Sequence, residues 1–166
     1  MVTDSIKGRP ILDDEFVDKI IKAKKFIPNI KKDPFKTTEK NGNNRASIYL
    51  ICDQYDVRMD IRQTADDFLD FSVLLIFTDN HNHNYILRRY NGDHGSHTDP
   101  ITGEKIWGPH IHKISEECQR TIHKDEGHAD ATDDYKTLNQ AIDVFMADMN
   151  ICHKDGIYRT RLTDFE

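Results

Sequence analysis

The sequence has few cysteines and no apolar run long enough to cross a membrane. Its three cysteines, Cys52, Cys118 and Cys152, are an odd number without paired spacing, which argues against a disulfide framework and for reduced thiols. The longest apolar run, residues 73–77, is far shorter than the ~20 residues of a bilayer-spanning helix. No basic-then-apolar signal pattern opens the chain. We therefore expect a cytoplasmic protein with no membrane partner.

The chain also lacks an excess of basic residues and the common enzyme motifs. A net charge of −6 and a pI of about 5.8 argue against direct binding to nucleic acid through a broad basic surface, and favour a basic partner. A Walker loop, a dinucleotide-binding glycine motif, an HExxH helix, a serine elbow and a CxxC pair are all absent. The sequence therefore favours a protein that is not an enzyme.

The hydropathy pattern predicts one α+β domain over residues 1–166. Apolar residues at helical spacing predict an N-terminal helix at about 13–27 and a C-terminal helix at about 138–150, the latter with a capping box. A β-rich core at about 46–114 lies between them, and residues 71–78 read as its central strand. We expect an antiparallel sheet of four to five strands flanked by the two helices.

Three segments are not predicted to contribute a helix or a central strand to the core. Residues 28–45 are rich in Pro, Asn, Gly and Lys and predict a loop. Residues 115–134 are polar and acidic, and predict a loop with one helical turn. Residues 157–162 alternate weakly, which predicts an edge strand or an ordered extension.

Residues 91–114 contain four histidines in a stretch punctuated by Gly and Pro. His110 and His112 are two residues apart, so on a strand their imidazoles share one face while Ile111 takes the other. His97 lies on the preceding loop, which can fold back onto the strand. The pattern predicts a metal site formed by His97, His110 and His112. Zinc is the expected ion, because imidazole suits borderline metals.

The fourth ligand is left open by the sequence. His94 and the thiolate of Cys118 are the two alternatives, and Asp99 is a candidate to orient a metal-binding imidazole from outside the ligand set. A closed fourth position would make the zinc structural, whereas an open one would permit catalysis.

Other polar clusters have simpler interpretations. His81 and His83 lie in an Asn- and Asp-rich segment that predicts a solvated hairpin turn. The acidic group formed by Asp66, Asp67 and Asp70 is typical of a helix start or a turn, although paired carboxylates can bind Mg²⁺. Arg88 and Arg89 are consecutive on a predicted strand, so only one of them can face the metal side.

The motif from Gly92 to His112 resembles a family of small uncharacterised proteins of bacteria, phages and mobile elements. The shared features are a histidine before a polar-Pro pair, a Gly turn and then Gly-Pro-His-x-His. The matching residues are His97, Asp99, Pro100, Gly103, Gly108, Pro109, His110 and His112. This resemblance implies a helix, a β-rich middle and a final helix. In that family the position of Asp99 is more often Asn, and His94 is particular to this sequence.

The chain is also similar to the small anti-CRISPR proteins that phages and mobile elements use against type II-A Cas9, some of which bind zinc. This resemblance implies an inhibitor that binds a host nuclease, Cas9, with a structural Zn²⁺. Acidic charge agrees with it, because Cas9 lines its nucleic-acid channels with Lys and Arg. The alternative is a metal-dependent hydrolase or toxin-like nuclease that uses a three-histidine zinc site.

Overall fold

The structure, a computed structural model, describes residues 5–6 and 8–154 of the 166-residue chain. This part contains three helices: α1 (Asp14–Lys22), α2 (Glu116–Thr121) and α3 (Leu138–Asp148). Its strands are β1 (Ser5–Ile6), β2 (Arg9–Pro10), β3 (Lys25–Ile27), β4 (Thr38–Lys40), β5 (Asn43–Tyr49), β6 (Asp56–Thr64), β7 (Asp67–Thr78), β8 (Asn84–Asn91), β9 (His97–Thr98), β10 (Lys105–Ile106), β11 (His110–Lys113), β12 (Ala129–Ala131) and β13 (Ile151–His153). None of the helices described is long and apolar enough to cross a membrane. Residues 157–162 lie outside the described residues.

The main sheet has seven strands in the order β12-β11-β8-β7-β6-β5-β4, and every neighbouring pair is antiparallel. The predicted mixed fold with an antiparallel sheet is therefore confirmed, but the predicted count of four to five strands is wrong. The missed strands are β4 and β12 at the two edges. Both are short and mostly exposed, so they join the sheet through backbone hydrogen bonds without an apolar pattern.

One face of the sheet forms the core. Alternate positions of the long strands point there, as in the cross-strand pairs Ile48↔Met59 and Met59↔Leu75. The apolar sides of α1 and α3 join the same cluster through buried residues such as Ile20 and Phe145. Both helices therefore cover one face of the sheet, which corrects the predicted arrangement of a sheet flanked by two helices. A third helix, α2, lies where the sequence predicts a loop with one helical turn.

The first helix is shorter than the periodicity predicts. It is capped by the Asp13 side chain, which accepts a hydrogen bond from the Phe16 N–H at 2.7 Å, and it ends at Lys22 instead of residue 27. The chain then becomes β3, which runs parallel to β13. Helix α3 ends two residues before its predicted limit and has the capping box of Thr137 and Gln140.

A buried lysine joins the ends of two helices. The side chain of Lys25 is fully buried, and its Nζ donates to the carbonyl oxygens of Ile21, Ala23 and Met149 at 3.0, 2.8 and 2.9 Å. Burial lowers the pKa of Lys25 to about 8. The ammonium thereby satisfies carbonyls at the C-terminal ends of α1 and α3, which would otherwise lack donors.

We expect Lys25→Met to lower the free energy of unfolding by about 3 kcal/mol, because three buried carbonyls lose their donor while the aliphatic chain keeps its length. Urea denaturation measures this, with Lys24→Met as the control because Lys24 is an exposed neighbour. Equal midpoints for the two variants would contradict this role of Lys25.

The face of the sheet opposite the core is polar. Two rows of side chains cross it at right angles to the strands: Arg45, Arg62, Ser72, Asn91 and His110 form the first, and Ser47, Asp60, Leu74, Arg89 and His112 the second. Residues directly across from each other share a face, so the register alone places the two histidines at the end of these rows.

Candidate metal centre

Strand β11 presents two histidines on the polar face, as the alternation predicts. It is paired with β8 on one side and β12 on the other, so its backbone is held along its length. Ile111 points to the core face, where it pairs with Tyr90. His110 is 0% and His112 is 5% exposed, so both imidazoles are removed from water.

The third histidine comes from the covering loop, residues 92–109, which contains the short hairpin of β9 and β10. In this hairpin His97 pairs with Ile106, and Ile106 is buried. The pairing turns the His97 side chain toward β11. The loop thus folds back onto the strand, and this return is the reason that the two histidines of β11 are covered.

The three imidazoles converge on one point. Their ring centroids are 4.6 Å apart for His97 and His112, 5.0 Å for His110 and His112, and 5.5 Å for His97 and His110. One ring nitrogen from each histidine lies within 4.8 Å of the other two. Zinc binds imidazole nitrogens at ~2.1 Å, so ligands of one ion lie within a few Å of one another, as these atoms do. The structure therefore contains a histidine group that could hold a metal ion.

Burial disfavours the charged form of both histidines of β11. Burial lowers the pKa of His112 to about 3, and the nearby His110, His97 and Arg89 add to the effect. Burial likewise lowers the pKa of His110. Metal ions bind the neutral imidazole, so this environment prepares the ligands without a proton to displace.

The hydrogen bonds identify which ring nitrogen of His110 carries the proton and which nitrogens of the other two histidines lack a partner. His110 Nδ1 lies 2.8 Å from the Gly108 carbonyl oxygen, so this nitrogen carries the proton and Nε2 keeps its lone pair. His97 Nε2 and His112 Nδ1 are buried and have no hydrogen-bond partner in the described residues. Unpartnered buried polar atoms are costly and rare. A bound cation would satisfy both of them.

The two candidate fourth ligands differ in position. His94 is exposed on the covering loop, and its ring centroid is 5.0 Å from that of His110. Cys118 is fully buried on α2, where its Sγ lies near Gly127. Neither belongs to the group of described residues whose donor atoms lie within 4.8 Å of one another. His94 adjoins the centre at its rim, so it is the better placed of the two.

Asp99 does not orient any of the three imidazoles in the structure. Its buried carboxylate accepts hydrogen bonds from the backbone N–H groups of Ile101 and Thr102, and His128 Nδ1 lies 2.6 Å from its other oxygen. Burial acts against ionisation, but these hydrogen bonds dominate and hold the pKa of Asp99 at about 2. The predicted role of Asp99 is corrected accordingly: it fixes the turn of the covering loop to His128.

The structure adds neighbours that the sequence interpretation did not name. Asn91 is directly across from His110, and its Nδ2 lies 3.3 Å from His110 Nε2. The Tyr135 hydroxyl is 3.0 Å from the Asn91 carbonyl oxygen and 3.1 Å from that of His110. Asn91 could have been identified from the sequence by counting residues along β8 from the hairpin that precedes it. Tyr135 lies in a polar segment and gives no such signal.

Of the two consecutive arginines, Arg89 faces the metal side. It is directly across from His112, and its guanidinium forms an ion pair with Glu126. Burial raises the pKa of Glu126. Arg88 lies on the other side of the sheet, where it lines a cavity with Asp14 and Asp18. The expectation that only one arginine faces the site agrees with this register.

The acidic group before the central strand has structural contacts. Asp70 accepts from Arg62 at 2.6 Å and from the Thr64 hydroxyl at 2.6 Å, and the Arg62 hydrogen bond is the main cause that lowers its pKa. Asp67 accepts from the Leu69 N–H. These carboxylates thus fix the turn between β6 and β7, in line with the sequence interpretation.

A second group that could reach an ion consists of Asp79, His81 and His83. Here the carboxylate is already engaged: Asp79 accepts from the backbone N–H groups of His81 and His83, from His83 Nδ1 and from the Tyr85 hydroxyl. His81 is exposed. These hydrogen bonds describe a well-ordered turn, which agrees with the sequence interpretation of this segment.

We expect Asp79→Asn to lower the free energy of unfolding at neutral pH by about 2 kcal/mol. Burial opposes ionisation, yet the hydrogen bonds from His83 and His81 lower the pKa of Asp79 from 3.8 to about 2. Because the folded pKa is below the unfolded one, this contribution is complete above pH 4 and is lost as the pH falls through 2. Between pH 4 and pH 2, the free energy of unfolding from denaturation curves should therefore change less for the variant than for the wild type. Asp133→Asn, at an exposed aspartate, is the control.

Searches against protein-family models, curated proteins and solved structures find no match for this chain. The resemblances drawn from the sequence motif therefore stay predictions, and the function has to be argued from the geometry of the histidine group and its surroundings.

Proposed function

We propose that this protein binds one zinc ion through His97, His110 and His112, and that the ion holds the covering loop against the sheet. The observation that carries the proposal is the convergence of three imidazoles, of which those of His110 and His112 are buried and those of His97 and His112 have a buried ring nitrogen without a partner. Zinc leads because three imidazoles and no thiolate suit a borderline ion of flexible geometry. His94 is the proposed fourth ligand, since a rotation of its exposed side chain would bring it to the open position.

The proposed action is protein binding, with Cas9 of a bacterial host as the partner. Its support is the resemblance to type II-A anti-CRISPR proteins and the net charge of −6, which complements a basic nucleic-acid channel. Trp107 adds a local reason. It is 69% exposed and lies between β10 and β11, so a metal-held loop presents it in a fixed position. Exposed tryptophans are enriched at the centres of protein interfaces.

A cleavage assay with type II-A Cas9, guide RNA and target DNA tests the proposed partner. Purified wild-type protein should reduce cleavage, and Trp107→Ala should weaken the inhibition by about tenfold without lowering thermal stability. Tyr49→Ala is a matched control, because Tyr49 is 67% exposed on β5, away from the covering loop. Absence of binding to Cas9 at micromolar concentration and low salt would contradict the proposal.

The second candidate is a metal-dependent phosphoesterase. It is favoured by the absence, among the described residues, of a fourth donor within 4.8 Å of all three histidines, and by the position of Arg89 across from His112. An open position on zinc supplies a water of lowered pKa, and a guanidinium can bind phosphate oxygens. In this chain Arg89 would hold the substrate while its partner Glu126 keeps the side chain in place.

Incubation of the pure protein with RNA, DNA and a generic phosphodiester, with and without chelator, separates the two candidates. The protein-binding proposal expects no turnover under any condition. Cleavage that chelator abolishes, and that Arg89→Gln reduces, would favour the phosphoesterase instead.

A further inference from the structure

A groove lies on the polar face of the sheet, next to the histidine centre. Its volume is about 260 Å³. The polar side chains that line it are Arg45, Ser47, Asp60, Arg62, Ser72 and Arg89. They belong to the two cross-strand rows that end at His110 and His112, so the groove and the centre share one surface. No helix or loop is needed to form its floor, which consists of the rigid strands β5 to β8.

The groove has an unbalanced charge. Three guanidinium groups line it against one carboxylate, Asp60, which already pairs with Arg58 at 3.3 Å and accepts from the Ser47 hydroxyl at 2.8 Å. Arg62 is paired with Asp70 from outside the lining. Arg45 is exposed, and no carboxylate in the described part of the chain pairs with it. Arg89 is paired with Glu126, also from outside the lining. Arg45 is thus the guanidinium that gives the groove its net positive charge, although the whole chain is acidic.

The pairing of strands places two of the guanidinium groups side by side, with Asp70 offsetting the charge of Arg62 alone. Arg45 and Arg62 are directly across from each other on β5 and β6. Like charges in such a pair lie with their Cβ atoms roughly 5 Å apart and destabilise the sheet. On the other row, the Arg89 Nε is buried and has no hydrogen-bond partner among the described residues. A bound oxyanion would screen the first pair and would offer an acceptor to the third guanidinium.

We propose that this groove binds a phosphoryl group, with Arg45, Arg62 and Arg89 as its cationic ligands and the hydroxyls of Ser47 and Ser72 as further donors. Guanidinium groups donate in a planar fork that matches phosphate oxygens, and several of them together favour a dianion over a single carboxylate. Neither zinc binding nor a protein partner requires this site, so the inference goes beyond the proposed function. The occupant is a small phosphate compound, because a groove of about 260 Å³ holds only a small molecule.

Titration of the full chain with inorganic phosphate at low ionic strength, followed by calorimetry or NMR shifts, tests this inference. Arg45→Gln should weaken phosphate binding by about tenfold, which corresponds to loss of one charged hydrogen-bonding partner. The variant should fold normally because Arg45 is exposed. Lys36→Gln is the matched control, since Lys36 is an exposed cation that does not line the groove. Its affinity for phosphate should equal that of the wild type.

Two results would overturn the inference. Equal losses in Arg45→Gln and Lys36→Gln would mean that phosphate responds to general surface charge alone. Binding that disappears with chelator and is unaffected by Arg45→Gln would mean that phosphate binds the metal ion and not the groove. Sodium chloride at matched ionic strength serves as the reference titrant for both variants. Neither result depends on whether the protein binds Cas9.

Discussion

Removal of bound metal should lower the melting temperature of the wild-type protein by about 10 °C, and His110→Ala should abolish this dependence on metal. A ligand present at a thousand times its dissociation constant stabilises the folded state by about 4 kcal/mol, and 1 kcal/mol corresponds to roughly 2–4 °C for a chain of this size. The physical reason is that one ion supplies the missing partner of two buried ring nitrogens, His97 Nε2 and His112 Nδ1. Scanning calorimetry with and without chelator measures the shift.

The comparison has to be made as a cycle, because His110 is fully buried and its loss costs packing energy by itself. The informative quantity is therefore the shift caused by chelator in each protein, and not the difference between the two proteins without metal. His81→Ala is the control, since His81 is exposed on the hairpin before β8. It should keep the full shift. A chelator shift in His110→Ala as large as that of the wild type would contradict the assigned ligand.

Gly92→Ala should destabilise the protein by about 3 kcal/mol or more, an effect of the same order. Gly92 begins the covering loop and donates its N–H to the Phe71 carbonyl at 3.0 Å. A Cβ at this position would lie 2.1 Å from the Leu69 carbonyl oxygen and 2.6 Å from the Phe71 ring. The first of these atoms belongs to backbone of β7, so the loop must move to relieve the clash.

Gly95→Ala separates this clash from backbone strain. Gly95 has φ = +101°, yet a Cβ there would meet no atom within 4 Å. Its substitution should therefore cost only about 1 kcal/mol, from the left-handed backbone. Urea denaturation of the two variants gives both values. The displaced loop in Gly92→Ala should also bind metal more weakly, because it bears His97. If Gly92→Ala had the same melting temperature as Gly95→Ala, the proposed packing around Gly92 would be contradicted.

The sequence was informative where side-chain alternation alone decides the geometry. The spacing of His110 and His112 predicts a shared face on any strand, and the structure places Ile111 on the opposite face against Tyr90. The sequence alone could not define the path of the covering loop, because this path depends on the pairing of His97 with Ile106. It also misassigned Asp99, because His128 is 29 residues away and reaches Asp99 only through the position of β12.

The two edge strands of the sheet could not be predicted from the sequence either. Strands β4 and β12 are polar and short, and they become strands only because a neighbour offers unpaired backbone groups. The Asn41-Gly42 turn, with positive φ at both residues, was readable as a hairpin signal within a segment that composition alone assigns to a loop. Lys25 is a further case: helical spacing continues through it, but its acceptor on Met149 is in place only once α1 and α3 have met.

Elemental analysis of the protein, purified without chelator and without added metal, tests the central claim most directly. One zinc ion per chain is expected in the wild type, and less than a tenth of that in a variant with alanine at His97, His110 and His112. His81→Ala should retain the wild-type content, which separates this centre from the hairpin turn. A wild-type protein that contains no metal, and that takes up none when zinc is supplied in excess, would contradict the account.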